Sequence, residues 1–178
     1  MAHQFVTVFI LGLSNAAAVI VANTIGEGKK EAAVEYAFTI GFFSIAMGMI
    51  AGIIIYLIRP VVVNLYNVTD ATKMIAMEIM KITSIIVVFQ SLGVNMMMGV
   101  LSGGGDAKFV LVNDIIFMWL VAIPGGFLAA FVFKLPIVIV FFIIKSDEVL
   151  KSIVSIFRFT SGKWVKDVTR DFEEIEAI

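Results

Sequence analysis

The sequence predicts an all-α integral membrane protein with five transmembrane helices. Composition is the first of three observations that carry this. The 178 residues are 61% hydrophobic and 15% charged, with a mean hydropathy of +1.06, whereas a soluble domain is about 45–50% apolar and 25% charged. The second is a set of charge-free runs, Met1–Gly26, Tyr36–Ile58, Ile82–Gly105 and Ile115–Phe133. Each is close to or above the roughly 20 residues that cross a hydrocarbon layer about 30 Å thick. The third is that Tyr36–Ile58 has no polar face, which an outer helix of a soluble bundle would need.

The first span covers about residues 5–25. It has no Lys or Arg ahead of its apolar run and no clear cleavage site, unlike a signal peptide. It reads as a spanning helix lacking the start of its own protein, so the chain is expected to be a fragment. Gly12 and Ala16, four apart, predict a packed helix face. The turn Gly26-Glu27-Gly28-Lys29-Lys30 ends the span.

The second span covers about 36–58. Ala33, Ala37 and Gly41 form one small-residue face, and Gly48 and Gly52 form another, predicting close packing against two different neighbours. Arg59-Pro60 marks the far interface, with Tyr56 and Tyr66 as interfacial aromatics. The third helix, about 71–101, is longer than a bilayer requires. The fourth, about 109–133, is interrupted by Pro124-Gly125-Gly126, where proline's missing N–H predicts a kink. The fifth, about 135–159, is charge-free only over Leu135–Ile144, but Val149, Ile153 and Ile156 extend its apolar stripe. Residues 160–178 read as an amphipathic tail, with Trp164, Val168, Phe172 and Ile175 on one side of a helix lying at the membrane surface.

Charge sets the expected orientation. Lys29, Lys30, Lys108, Lys145, Lys151, Arg158, Lys163, Lys166 and Arg170 fall on one side, against Arg59, Lys73 and Lys134 on the other, with Lys81 near the margin. The positive-inside rule then makes the Gly26–Lys30 turn, the Ser102–Lys108 turn and the C-terminus cytoplasmic.

Catalytic chemistry has little to work with. Cysteine is absent and His3 is the one histidine, so neither metal-ligand spacing nor a nucleophile–base pair is visible. The Gly103-Gly104-Gly105-Asp106 turn lacks the Gly-Lys-Ser/Thr ending of a phosphate loop and reads as a flexible connection. No cofactor, metal site or nucleic-acid partner is expected, the last because the net charge is -1.

The third helix is more informative. At about 100° per residue, Ser84, Ser91, Asn95 and Ser102 share a narrow sector with Met98. Such a polar stripe must face protein or water rather than lipid. It is either helix–helix hydrogen bonding or the wall of a substrate cavity in which Met98 is a deformable apolar contact. Gln90 sits off the stripe and can bond a neighbouring helix. Asp114, one turn inside the fourth span, is either stabilised by the helix N-terminus or a cation or proton site. Glu78 with Lys81 is either a structural pair or part of a relay. Pro124, Gly125 and Gly126 are hinge candidates, with a simple packing kink as the alternative.

Several stretches resemble, in order, the multidrug and toxic compound extrusion (MATE) transporters. Gly12-Leu13-Ser14-Asn15-Ala16-Ala17 followed by Val21-Ala22-Asn23-Thr24-Ile25-Gly26-Glu27-Gly28 is similar to the second helix of a lobe and its turn. Gly99-Val100-Leu101-Ser102-Gly103-Gly104-Gly105-Asp106-Ala107-Lys108-Phe109 resembles the turn between a lobe's fourth and fifth helices. Met118-Trp119-Leu120-Val121-Ala122-Ile123-Pro124 resembles the next helix, and Arg158-Phe159 with Ser161-Gly162-Lys163-Trp164 the family's C-terminal end.

The resemblance implies that the spans match helices eight to twelve of a twelve-helix transporter. Residues 1–159 would then be a partial C-terminal lobe, and a missing N-terminal lobe would complete the cavity. It further implies alternating access, with cationic or amphipathic organic compounds exported in exchange for Na⁺ or H⁺. The acidic residue that some members carry in the third of these helices is replaced here by Ser91. The alternative is a non-transporting membrane scaffold or subunit whose polar helix face binds partner helices.

Overall fold

The computed structural model describes residues 2–166. Five long helices account for almost all of these: α1 (Ala2–Gly26), α2 (Lys30–Asn64), α3 (Asp70–Leu101), α4 (Ala107–Val132) and α5 (Ile137–Thr160). The first four are long and apolar enough to cross a membrane. In α5, Lys145, Asp147, Glu148 and Lys151 interrupt the apolar run, and these charges are partnered by protein, as described below. The chain is an all-α, multi-pass membrane protein.

The element boundaries sit close to those expected, with two differences. α2 runs on through Pro60 to Asn64 instead of stopping at the Arg59-Pro60 pair. Proline removes one backbone donor, and so near a helix end it costs little continuity. The Arg59 guanidinium lies 4.0 Å over the Tyr56 ring and anchors this end. At 35 residues, and about 1.5 Å per residue, α2 outreaches the hydrocarbon layer. The second difference is that α3 and α4 are not uniformly α-helical. Asn95–Leu101, Met118–Ala122 and Leu128–Val132 are wound as π-helix.

α3 is the central rod and packs against α1, α2, α4 and α5. Glycines set how closely it approaches. A Cβ on Gly48 would come within 2.8 Å of the Val88 Cα, and one on Gly52 would overlap the Ser84 carbonyl, so α2 and α3 touch backbone to backbone. Ala33, Ala37 and Ile40 of α2 join Ala17, Val21 and Ile25 of α1 and Met96, Met97, Val100 and Leu101 of α3 in the larger core. Ile10, Ile55 and Val87 form a second core towards the other end. Phe42, Ile53 and Leu57 project outward, as expected of side chains that meet lipid acyl chains.

The face of α1 that packs within this chain is not the Gly12–Ala16 face. Gly12 and Ala16 are exposed, while Ser14, Ala17 and Val21 are buried. The close approach uses glycines of the partner: a Cβ on Gly99 would lie 2.8 Å from the Ala17 Cβ, and one on Gly103 2.7 Å from the Ala18 carbonyl. On the face of α1 that packs within the chain, the room is thus supplied by glycines of α3 against Ala17 and Ala18.

Of the side expected to lie on the membrane surface in the tail, Trp164 can be placed, and it points into protein. Trp164 is wholly buried in protein on a non-helical segment. Its indole N–H donates to the Phe159 carbonyl at 3.1 Å, and its ring stacks near the Phe159 ring. Val168, Phe172 and Ile175 lie outside the described residues.

Candidate functional site

An open groove of about 370 Å³ runs between α3, α4 and α5. Its α3 wall is Gly93, Val94, Met97 and Met98, and its α4 wall is Val110, Leu111 and Asp114, while α5 contributes Glu148 and Lys151. Ser102 and Ala107 close the end nearest the α3–α4 turn. Met98 is 53% exposed, so its flexible thioether is available to a ligand, as suits an adaptable apolar contact. Behind it, the buried Asn113 amide approaches the Met97 sulfur at 3.7 Å, holding Met97 between α3 and α4.

The polar end of the groove is an ion cluster. Lys151 Nζ lies 2.6 Å from Asp114 Oδ1 across the α4–α5 boundary and 3.1 Å from Asp147 Oδ2 one turn earlier on α5. Lys145 reaches Glu148 at 4.0 Å. Asp114 lies seven residues from the start of α4, and Lys151 nine from the end of α5. At about 1.5 Å per residue, that places the cluster roughly 10–14 Å along each helix from the same end of the bundle. Charges at such a depth need partners. Three acidic side chains, Asp114, Asp147 and Glu148, face two basic ones, Lys145 and Lys151, a formal count of one negative charge. Among the described residues, no group of three or more His, Cys, Asp or Glu side chains is placed to hold a metal ion.

The stripe expected on α3 is split. Ser84, Ser91 and Asn95 are buried between helices rather than facing the groove. Ser91 Oγ donates to the Ser44 carbonyl of α2 at 2.8 Å, Asn95 Nδ2 to the Ser91 carbonyl at 2.8 Å, and Ser84 Oγ to the Lys81 carbonyl at 2.7 Å. Asn95 Oδ1 is buried without a hydrogen-bond partner. Met98 and Ser102 turn to the groove instead. The cause is the π-helix that begins at Asn95: its wider turns advance each residue by less than an α-helix does, so a sector drawn at α-helical pitch fails beyond that point.

The remaining candidates are dispersed. Gln90 lines a separate hollow of about 300 Å³ with Thr83, Ile86, Phe141 and Lys145. Glu78 and Lys81 form an exposed pair at 3.7 Å. Pro124 lies between the two π segments of α4, and a Cβ on Gly125 or Gly126 would press on Ile143 or Ile144 of α5 at 3.1 and 2.7 Å. Those glycines thus serve the close packing of α4 on α5. Asp147, Glu148 and Lys151 escaped the sequence reading as site residues. Their signal was present, as four charges within an apolar stripe, but Asp114 is 37 positions from Lys151 and no local spacing joins them.

The family model described as MatE matches residues 1–128. The chain belongs to the MatE family. This agrees with the resemblance carried by the α1, turn and α4 motifs. The MatE chain is also 26% identical over 127 residues to a protein named "Probable multidrug resistance protein NorM" from Halalkalibacterium halodurans, a match covering 71% of this chain and 28% of that relative. The chain thus spans less than a third of the length of the curated relative it matches. No solved structure gave a significant match.

Proposed function

We propose that this MatE chain is part of a multidrug exporter and that the α3–α4–α5 groove receives lipophilic organic cations. The observation that carries this is the pairing of an apolar methionine wall with an ion cluster one charge short of neutrality. An amphipathic cation would lay its apolar body on Met97, Met98, Val110 and Leu111 and its charge near Asp114 and Glu148. Export would be coupled to Na⁺ or H⁺ entry by alternating access. Asp114 is the coupling candidate, because protonation or a bound cation would compete with Lys151 for it.

The α1 face with the exposed asparagines supports a further part of the transporter packing there. Gly12, Asn15, Ala16 and Asn23 of α1 are all exposed and share one side of the helix, within a sector of about 100°. Two asparagines on a membrane helix belong against protein or water rather than lipid. The rest of a longer transporter, of which the relative is an example, would cover them. The scaffold alternative drew on the α3 stripe, which is engaged within the chain through Ser44 and Ser91. The charge bias supports a cytoplasmic side for the α1–α2 and α3–α4 turns and the C-terminus.

The test is efflux of tetraphenylphosphonium by the complete transporter carrying Asp114→Asn or Met98→Ala. Each is expected to slow efflux or change which cations are exported. Unaltered rates and cation preference in both variants would sink the groove reading.

A further inference from the structure

The α3–α4 turn is held from outside by the last turn of α5 and the segment that follows it. Asp106 is 1% exposed, and its carboxylate accepts from Arg158 Nε at 2.7 Å and from the Lys166 ammonium. The Arg158 guanidinium also lies 4.7 Å over the Phe109 ring at the start of α4. The Lys166 backbone N–H donates to the Gly104 carbonyl at 2.9 Å. Trp164, wholly buried, fills the space over Gly104, where any Cβ would overlap the indole. On the far side, Gly103 abuts the Ala18 backbone of α1. The turn is therefore clamped on both faces, and at two points on its α5 side.

We propose that Arg158, Trp164 and Lys166 are positioning residues for the groove: they fix the turn 103–106 and so set the gap between Ser102 and Ala107 at one end and Glu148 at the other. This goes one step beyond the groove reading, since it assigns a geometric duty to residues that touch no ligand. The argument is one of connection. Ser102 and Ala107 line the groove and flank the clamped turn directly. The strap springs from α5, the helix that supplies Glu148 and Lys151. Turn and groove floor are thus tied to one rod. A buried carboxylate that accepts from two cations, one of them also over an aromatic ring, ties the turn at two points to α5 and the residues after it, and charge-assisted hydrogen bonds of this kind are the stronger ones.

The test needs no ligand, so it fails or succeeds independently of what the groove binds. The chain lacks cysteine, so cysteines introduced at Ser102 and Glu148 can be bridged by a short bifunctional thiol reagent, while hydrogen exchange is followed at the Gly104, Gly105 and Asp106 amides. In lipid nanodiscs, Trp164→Ala and Arg158→Gln should each speed exchange at these amides roughly tenfold and cut the bridging yield several-fold. Exchange near Gly48–Gly52 should stay unchanged. Trp164→Phe, which keeps the ring but loses the indole donor, should retain most of both readouts. Unchanged exchange at the turn would overturn the proposal, as would faster exchange with full bridging yield. Acceleration spread equally over α2 would also overturn it, because the segment would then hold the whole bundle rather than the turn.

Discussion

The Ser91 hydroxyl donates to the backbone carbonyl of Ser44 at 2.8 Å, joining α3 to α2 beside the glycines that let the two backbones meet. In lipid there is little hydrophobic drive between helices, so close backbone packing through small residues carries association, and a single interhelical hydrogen bond adds only about 0.6 kcal/mol. Gly52→Ala should therefore cost more than Ser91→Ala, because its Cβ would press on the Ser84 carbonyl. Overpacking of this kind costs about 1–3 kcal/mol. Unfolding in detergent, followed by circular dichroism, should rank the variants in that order. Equal losses would mean that the hydrogen bond, not the close approach, dominates the seam.

The groove cluster gives an asymmetric prediction. Lys151 serves two carboxylates, and its side chain is largely buried, whereas that of Asp114 is 52% exposed. Lys151→Met leaves the buried Asp147 without its cation and should destabilise by about 3 kcal/mol. Asp114→Asn removes a half-solvated partner and should cost about 1 kcal/mol or less. Adding Asp147→Asn to Lys151→Met should recover much of the loss. Thermal unfolding of the purified chain decides this, and a Lys151→Met variant as stable as the parent would show that the cluster is solvated rather than buried.

These two relationships mark how far the sequence was readable. The glycine spacing on α2 announced a close helix contact without naming the partner, which the structure shows to be α3 at Gly48 and Gly52; periodicity maps directly onto sides there because α2 is regular α-helix. Met98 was placed with Asn95 because α-helical pitch was extended into a segment that is π-wound. Trp164 looked like a surface aromatic because helical periodicity was imposed on a segment that is not helical there. Asp106 in a glycine-rich turn read as a flexible connection. Its partners are 52 and 60 residues away, and only the tertiary fold brings them together. Boundaries and the faces of α2 followed local rules, whereas the change of pitch in α3 and the charged joints between distant segments did not.

Asp106 makes a prediction about pH. Burial pushes its carboxyl up, but the bonds and charges of Arg158 and Lys166 outweigh this and hold it below its ordinary value. A group with a depressed folded-state pKa contributes stability that is present above its unfolded value, about 3.9 for Asp, and lost as pH falls through the folded value. The stability gap between the parent chain and Asp106→Asn should thus be constant from about pH 5 to 8 and shrink only in stronger acid. Melting temperatures of the pair across that range supply the check. A gap that closed between pH 7 and 5 would mean that Asp106 titrates there and is not held as a carboxylate by its two cations.

The last prediction separates the two residues that one helical sector had joined. Met98 is exposed on the groove wall, so Met98→Ala removes apolar contact from a ligand without opening a cavity in the core. Its effect should be on binding: a tetraphenylphosphonium affinity lower by roughly tenfold, the scale of a lost apolar side chain, with an unchanged melting temperature. Asn95 is wholly buried, donates to the Ser91 carbonyl and leaves its own carbonyl oxygen unpartnered. The Ser91 carbonyl keeps the Asn95 backbone N–H as a donor, so an apolar side chain of similar size strands no partner and removes the unpaired oxygen. Asn95→Leu should accordingly leave cation affinity intact and hold or raise the melting temperature. Equilibrium binding and thermal unfolding, measured on the same two preparations, test both halves together. If Asn95→Leu abolished cation binding while Met98→Ala did nothing, the ligand would sit against the α1–α2 side of α3 and the groove would be a surface feature only.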